Sequence, residues 1–291
     1  MKTFQGIVQS GKQFEPTKSE ARAYTKLQPG VYTTHFNGMS NEFWFEEFSN
    51  NHDKIIDLPS PEYQKLTKEM TTFLHPETRA KFEDKGFLYK RSALLYGNPG
   101  TGKTVLVNRV IQEVIKNGGV VLFSQDPRLL PKAYSILDDL QPDTITMVVL
   151  EEFDTIIRQY GESILLNLLD GEIQKQNVMY LATTNYLQKI PKRMIRPGRM
   201  SSVIEVKYPN TQCRNQYFSL KMGKDFKDLD KWVEKTNGLS VDELKEVVQS
   251  VYIFDQKIDD VVTTIKKTRD FSEISMSDDL EDDDSPLQGY R

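Results

Sequence analysis

Cysteine is nearly absent from this 291-residue chain. Its one copy, Cys213, excludes an internal disulfide framework and a cysteine-built metal centre. Histidine is scarce too: His35, His52 and His75 are too few and too scattered for a histidine zinc site. No apolar run approaches the ~20 residues that span a bilayer, and the opening MKTFQGIVQSGK lacks the apolar stretch of a signal peptide. The chain is therefore expected to be soluble and cytoplasmic, with no membrane partner. A strong excess of either charge is missing as well. Lys and Arg number 38 against 42 Asp and Glu, a net charge of −4, so no overall attraction to nucleic acid is expected. With 38% hydrophobic and 10% aromatic residues, there is enough apolar material for a substantial core.

Against these absences one segment stands out. Gly97-Asn98-Pro99-Gly100-Thr101-Gly102-Lys103-Thr104 fits G-x-x-x-x-G-K-[ST]. The apolar run Ala93-Leu94-Leu95-Tyr96 precedes it as a buried strand, and a helical pattern follows from about Thr101 to Lys116. In that setting the glycines let backbone N–H groups converge on phosphate oxygens, and the helix start adds partial positive charge. Lys103 is placed to reach the β- and γ-phosphates and the Thr104 hydroxyl to ligate Mg²⁺. The loop and Val105, just inside the helix, form the expected binding site for ATP with Mg²⁺.

About fifty residues further on, the apolar run Met147-Val148-Val149-Leu150 ends in Glu151-Glu152. A carboxylate at the end of a neighbouring strand can join the metal shell, and a second can orient and deprotonate a water attacking the γ-phosphate. Glu151 is assigned the first role and Glu152 the second. The run Val178–Thr183 ends at Thr184-Asn185, where the Asn185 amide could hold the water or sense the γ-phosphate. Then comes Ile195-Arg196-Pro197-Gly198-Arg199. Two guanidinium groups beside a glycine suit anion recognition, and Arg196 and Arg199 look like fingers offered to a neighbouring subunit's nucleotide.

The remaining pattern divides the chain. Residues 1–51 form an N-terminal region with a β-hairpin, Val31–Phe36 and Asn41–Phe48 around the turn former Asn37-Gly38, a candidate surface for a client or partner. In residues 52–210, Ser60-Pro61 opens a helix with Tyr63, Leu66, Met70 and Phe73 on one face. The apolar runs at 120–123, 147–150, 178–183 and 203–206 then alternate with helical segments. This predicts an α/β domain, a parallel sheet with helices on both faces. Residues 211–268 read as a small helical lid domain. From 269 to 291 an acidic tail, including Asp278-Asp279-Leu280-Glu281-Asp282-Asp283-Asp284, is expected to be disordered.

From about His52 to Phe254 the chain resembles the AAA family of the AAA+ ATPases. GNPGTGKT is similar to the family's phosphate loop, MVVLEEFD to its acidic strand end, LATTN to its first sensor and IRPGR to its paired arginines. FLHPETRAKFEDKGF and TNGLSVDEL resemble its entry helix and lid segments. LLNLLDGE and ATTNYLQKIPKRMIRPGRM look most like the mitochondrial complex III assembly ATPases, although no membrane segment like theirs is visible in the sequence. The resemblance implies a ring of self-associated subunits, a hexamer in its usual form, with ATP between subunits and Arg196 and Arg199 completing the adjacent site. It places Ile55, Ile56, Gly238 and Leu239 near adenine. It implies ATP hydrolysis coupled to remodelling, unfolding or assembling a protein client. A nucleic-acid loader or translocase, and a nucleotide-gated scaffold with little turnover, are the alternatives. Two departures from the family pattern stand out. Glu151 replaces the usual aspartate, and in the segment Ser124–Tyr134 the one aromatic, Tyr134, is expected to pack a helix, which leaves Arg128 and Lys132 to grip a backbone phosphate or an acidic polypeptide.

Overall fold

The computed structural model describes residues 6–10, 12–17, 25–48, 56, 58–170, 175–223 and 225–281. They fall into two compact units, 1–207 and 208–291. In the first, the N-terminal region forms four strands, β1 (Gly6–Ser10), β2 (Gln13–Thr17), β3 (Gly30–Asn37) and β4 (Glu42–Glu47). The expected hairpin is β3 with β4, paired from Tyr32↔Glu47 to Asn37↔Glu42. Asn37 closes the turn by accepting from the Met39 N–H at 3.0 Å. Helices α1 (Pro61–Leu74) and α2 (Pro76–Asp84) lead into β5 (Lys90–Tyr96). Ser60 caps α1 through the Tyr63 N–H at 3.1 Å, with Pro61 in the first turn. Then follow α3 (Lys103–Lys116), β6 (Val120–Phe123), α4 (Leu130–Leu140), β7 (Thr146–Leu150), α5 (Phe153–Tyr160), α6 (Glu162–Asp170), β8 (Val178–Thr184) and β9 (Ser202–Glu205).

All nine strands share one sheet, in the order β1-β2-β4-β3-β6-β7-β8-β5-β9. β3 pairs in parallel with β6, Gly30↔Val120 to Tyr32↔Leu122, so the N-terminal strands extend the sheet. Their β-forming residues had suggested a hairpin, but no local pattern announces a parallel partner about ninety residues away. Every residue of β7 and β8 is buried, which accounts for their unbroken apolar runs. Side chains alternate between two cores. Leu94, Leu122, Val148, Leu150 and Tyr180 face α4, α5 and α6, on the side where Ile7, Phe14, Tyr32 and Phe45 also pack. Ala93, Leu95, Val121, Met147, Val149 and Leu181 face α1 and α3.

The second unit holds α7 (Thr211–Met222), α8 (Leu229–Lys235), α9 (Val241–Val248), a π-helical turn at Gln249–Ile253 and α10 (Ile258–Glu281). Phe218 and Trp232 meet edge to face, their ring centres 5.4 Å apart. Buried Arg214 donates to the carbonyls of Val233 at 3.1 Å and Pro209 at 2.8 Å. Ser240 and Glu243 form a reciprocal capping box on α9. The acidic tail expected to be disordered from 269 is helical as far as Glu281, the end of α10; residues 282–291 lie outside those described. Among the described residues no helix is long and apolar enough to cross a membrane.

Because β3 covers the β6 edge, deleting residues 1–48 is expected to lower Tm by at least about 5 °C and to promote self-association. Calorimetry and size-exclusion chromatography with light scattering test this. An unchanged Tm would mean that the segment is an independent appendage.

Candidate functional site

The site is built where strands end. β8 lies between β7 and β5, with Leu150↔Ala182 on one side and Leu94↔Ala182 and Tyr96↔Thr184 on the other. Three segments therefore leave the sheet at one edge: Gly97 after β5, Glu151 after β7 and Asn185 after β8. The chain leaving β5 crosses beyond β8 and β7 to β6, while β9 lies on β5's other side. In parallel sheets such a switch in strand order opens a crevice at the carboxyl ends, where ligands bind.

The loop after β5 has the backbone its glycines permit. Gly97, Gly100 and Gly102 have φ of +152°, +74° and +98°, values that side-chain-bearing residues rarely adopt. A Cβ on Gly97 would lie 2.3 Å from the Val206 carbonyl oxygen, so the loop runs too close to the chain after β9 to carry one. The Thr101 hydroxyl donates to the Asn98 carbonyl at 2.9 Å. Lys103 as a residue is only 9% exposed, and its ammonium donates to the carbonyls of Gly97 at 2.8 Å and Asn98 at 2.9 Å. It is thus folded over its own loop, where phosphate oxygens would be stronger acceptors than carbonyls. α3 starts at Lys103 with no side-chain cap, leaving N–H groups of its first turn for a ligand. Thr104 is exposed and Val105 half-buried.

These residues fit a nucleotide phosphate. They fit Mg²⁺ as well, in the form in which phosphate supplies much of the coordination. Among the described residues no cluster of three or more His, Cys, Asp or Glu could hold a metal. One hydroxyl (Thr104) and one carboxylate (Glu151) suffice for an ion that keeps waters and phosphate oxygens.

The acidic turn is conformationally unusual. Glu152 has φ 51° and ψ 52°, the left-handed region, which costs a non-glycine residue about 1–2 kcal/mol. The conformation is held because the Glu152 carbonyl accepts from the N–H groups of Thr155 at 2.8 Å and Ile156 at 3.1 Å while Phe153 is fully buried. Glu152 itself is exposed and Glu151 half-buried, so the strained residue offers its carboxylate outward. Such outliers gather at functional sites. Half-buried Asn185 follows Thr184, whose hydroxyl donates to the Asp154 carboxylate at 2.5 Å and accepts from the Tyr186 N–H at 3.0 Å. The sequence reading gave no role to Thr184 or Asp154. The available signal was an acid two residues after Glu152, in the first turn of α5.

The two arginines prove unequal. Arg199 donates to the Arg193 carbonyl at 2.6 Å and pairs with Asp170 at 3.4 Å, and its own carbonyl accepts from the Ser92 hydroxyl. It is tied into its own chain, whereas Arg196 is exposed. In the loop after β6, Arg128 pairs with Asp126 at 2.7 Å and lies 4.9 Å from the Tyr160 ring centre. Tyr134 is buried, its hydroxyl 3.0 Å from that of Tyr180; burial holds both phenols protonated well above the usual range. Tyr134 is thus a core residue. Ile55 lies outside the described residues, and Ile56 is half-buried. In the second unit, Gly238 has φ +77° and its carbonyl accepts from Arg269 at 3.0 Å, and Leu239 is fully buried.

Residues 93–208 match the family described as "ATPase family associated with various cellular activities (AAA)". The chain is 28% identical over 171 residues to 26S proteasome regulatory subunit 4 homolog B of Arabidopsis thaliana, covering 52% of this chain and 37% of that protein. It is 29% identical over 206 residues to 26S proteasome regulatory subunit 8 homolog B of Arabidopsis thaliana, covering 62% and 48%. It is 26% identical over 202 residues to Protein SAV of Sulfolobus acidocaldarius, covering 62% and 25%. The chain thus spans between a quarter and a half of the length of these relatives.

The close approach at Gly97 makes Gly97→Ala a direct check on the loop geometry. It is expected to destabilise the protein by at least about 2 kcal/mol in urea unfolding. A loss under about 0.5 kcal/mol, the range of an uninvolved surface change, would contradict the packing described.

Proposed function

We propose that this chain, whose residues 93–208 match the AAA family of ATPases, hydrolyses ATP to ADP and phosphate in a self-associated ring to remodel a protein client. The observation that carries the proposal is the convergence of the phosphate loop, the Glu151-Glu152 turn and Asn185 on one edge of the sheet. Bound ATP with Mg²⁺ would supply an electrophilic γ-phosphorus and offset its negative charge. The chain's own residues do the rest. Loop N–H groups and Lys103 bind the phosphates. Thr104 and Glu151 would hold the ion. Glu152 orients a water and accepts its proton as oxygen attacks phosphorus and the bond to ADP breaks. Asn185 keeps that water in line.

For the ring, the supporting observation is the contrast between the two arginines. Exposed Arg196 is available to a neighbouring subunit, where a guanidinium can stabilise charge in the transition state by about 10³–10⁵ in rate. Arg199 is proposed to hold the turn that presents it. Relatives named as 26S proteasome regulatory subunits and the net charge of −4 favour a polypeptide client over nucleic acid. No exposed aromatic is offered by the segment from Ser124 to Tyr134, so Arg128 in the loop after β6 and Lys132 in the first turn of α4 are the candidate client contacts there.

Glu152→Gln is expected to bind ATP as the wild type does and to lose at least about 100-fold in turnover; Lys103→Ala should lose nucleotide binding itself. Fluorescent-nucleotide titration and a phosphate-release assay separate the two, and normal turnover by Glu152→Gln would refute the assignment. In a mixing experiment, Lys103→Ala and Arg196→Ala should each be inactive alone. Together they should regain measurable turnover, because one variant keeps the arginine and the other the phosphate loop. Absence of recovery in a demonstrated mixed oligomer would remove Arg196 from the site.

A further inference from the structure

The Thr184 hydroxyl occupies an unusual place. Thr184 closes β8 and is 1% exposed. Its single proton goes to the Asp154 carboxylate at 2.5 Å, and its lone pair takes the Tyr186 N–H at 3.0 Å. The first bond reaches the first turn of α5, two residues past Glu152. The second brackets Asn185 between a residue whose side chain is fixed and a residue whose backbone is fixed. One buried oxygen therefore joins the turn that carries the proposed base to the turn that carries the proposed water-holding amide.

A hydroxyl donating to a carboxylate oxygen at this distance is among the shorter hydrogen bonds a threonine makes. Here it also does something ladder bonds cannot do. The β7–β8 ladder ends at Leu150↔Ala182, just before the acidic turn that starts at Glu151 and two residues before Thr184, the last residue of β8. Glu152 sits in a left-handed conformation that can relax if α5 shifts. A tether placed at Asp154 opposes that shift where it would move the Glu152 carboxylate away from Asn185.

We infer that Thr184 and Asp154 are a positioning couple that sets the separation between Glu152 and Asn185, and so the placement of the attacking water. This rests on the ATP-hydrolysis reading above. Neither residue touches nucleotide in the inference, and both act through the two groups they hold.

The test uses the full chain with four variants: Thr184→Val, Thr184→Ser, Asp154→Ala and the Thr184→Val/Asp154→Ala double. Steady-state ATP hydrolysis gives kcat and KM, titration with an N-methylanthraniloyl ATP analogue gives nucleotide affinity, and circular dichroism follows folding. Thr184→Val and Asp154→Ala are each expected to lower kcat by about 10- to 100-fold, the size of effect that a misplacement near 1 Å produces. Nucleotide affinity should stay within about twofold of wild type. The double variant should lose no more than either single change, because one tether is removed in all three. Thr184→Ser keeps the hydroxyl and should retain turnover within about threefold.

Wild-type kcat in Thr184→Val or Asp154→Ala would overturn the inference and leave the ATPase reading standing. So would parallel losses of kcat and nucleotide affinity, multiplicative losses in the double variant, or failure of Thr184→Ser to retain turnover. If Thr184→Val does not fold, Asp154→Ala and Thr184→Ser decide the matter by the same criteria. A wild-type chain that binds the analogue but releases no phosphate would instead refute the ATPase reading and take this inference with it.

Discussion

The hydrogen-bonded register of β8 against both β7 and β5 is the constraint on which the rest depends. Parallel pairing spaces its bonds evenly along the strand, so fixing one pair fixes where every strand in the group stops. Ala182 faces Leu94 on one side and Leu150 on the other, and the phosphate loop, the acidic turn and Asn185 follow from that. A register slip of one residue would exchange the side chains of β8 between the two cores, sending Tyr180 towards α1 and α3 and Met179 and Leu181 towards α4, α5 and α6, and close packing on both faces opposes that. Geometry at the site is thus enforced by burial in the sheet, well away from solvent and from the groups that would react.

Much of this could be read from the residues. The glycine loop, the acidic strand end and the apolar runs are local signals, each carried by a few adjacent residues with a direct physical meaning, and they appear where the pattern placed them. The missing parts depend on contacts between segments far apart in the chain. The hairpin at β3 and β4 was visible because alternating β-formers and Asn37-Gly38 encode it locally. Its parallel pairing with β6 was not, because an edge pairing of that kind is decided by which sheet edge remains open. Residues 269–281 carried a charge density that reads as disorder, yet they continue a helix begun by the apolar positions Ile258, Val261 and Val262, which are buried.

The site residues show the same division. Lys103, Glu151 and Glu152 are announced by motif. Arg196 and Arg199 look equivalent in the sequence, and only Asp170 and the Arg193 carbonyl, both supplied by other elements, distinguish them. Tyr134 is the reverse case. Its place in the apolar pattern of α4 predicted packing over client contact, and its hydroxyl meets Tyr180 of β8 in the core. Polar side chains declare their chemistry in a sequence; which partner uses that chemistry is settled by tertiary packing.

The sheet's order also bears on how the protein is made. A ribosome adds roughly 5–20 residues per second, and β3 is synthesised about ninety residues before the strand that completes it. The first four strands must therefore wait on the order of ten seconds with the β3 edge uncovered. During that interval Tyr32, Phe43 and Phe45 have no helices to pack against, since α4, α5 and α6 come still later. The N-terminal strands are thus the part of this chain most in need of protection while it emerges, and a factor that shields nascent hydrophobic surface would act on them first.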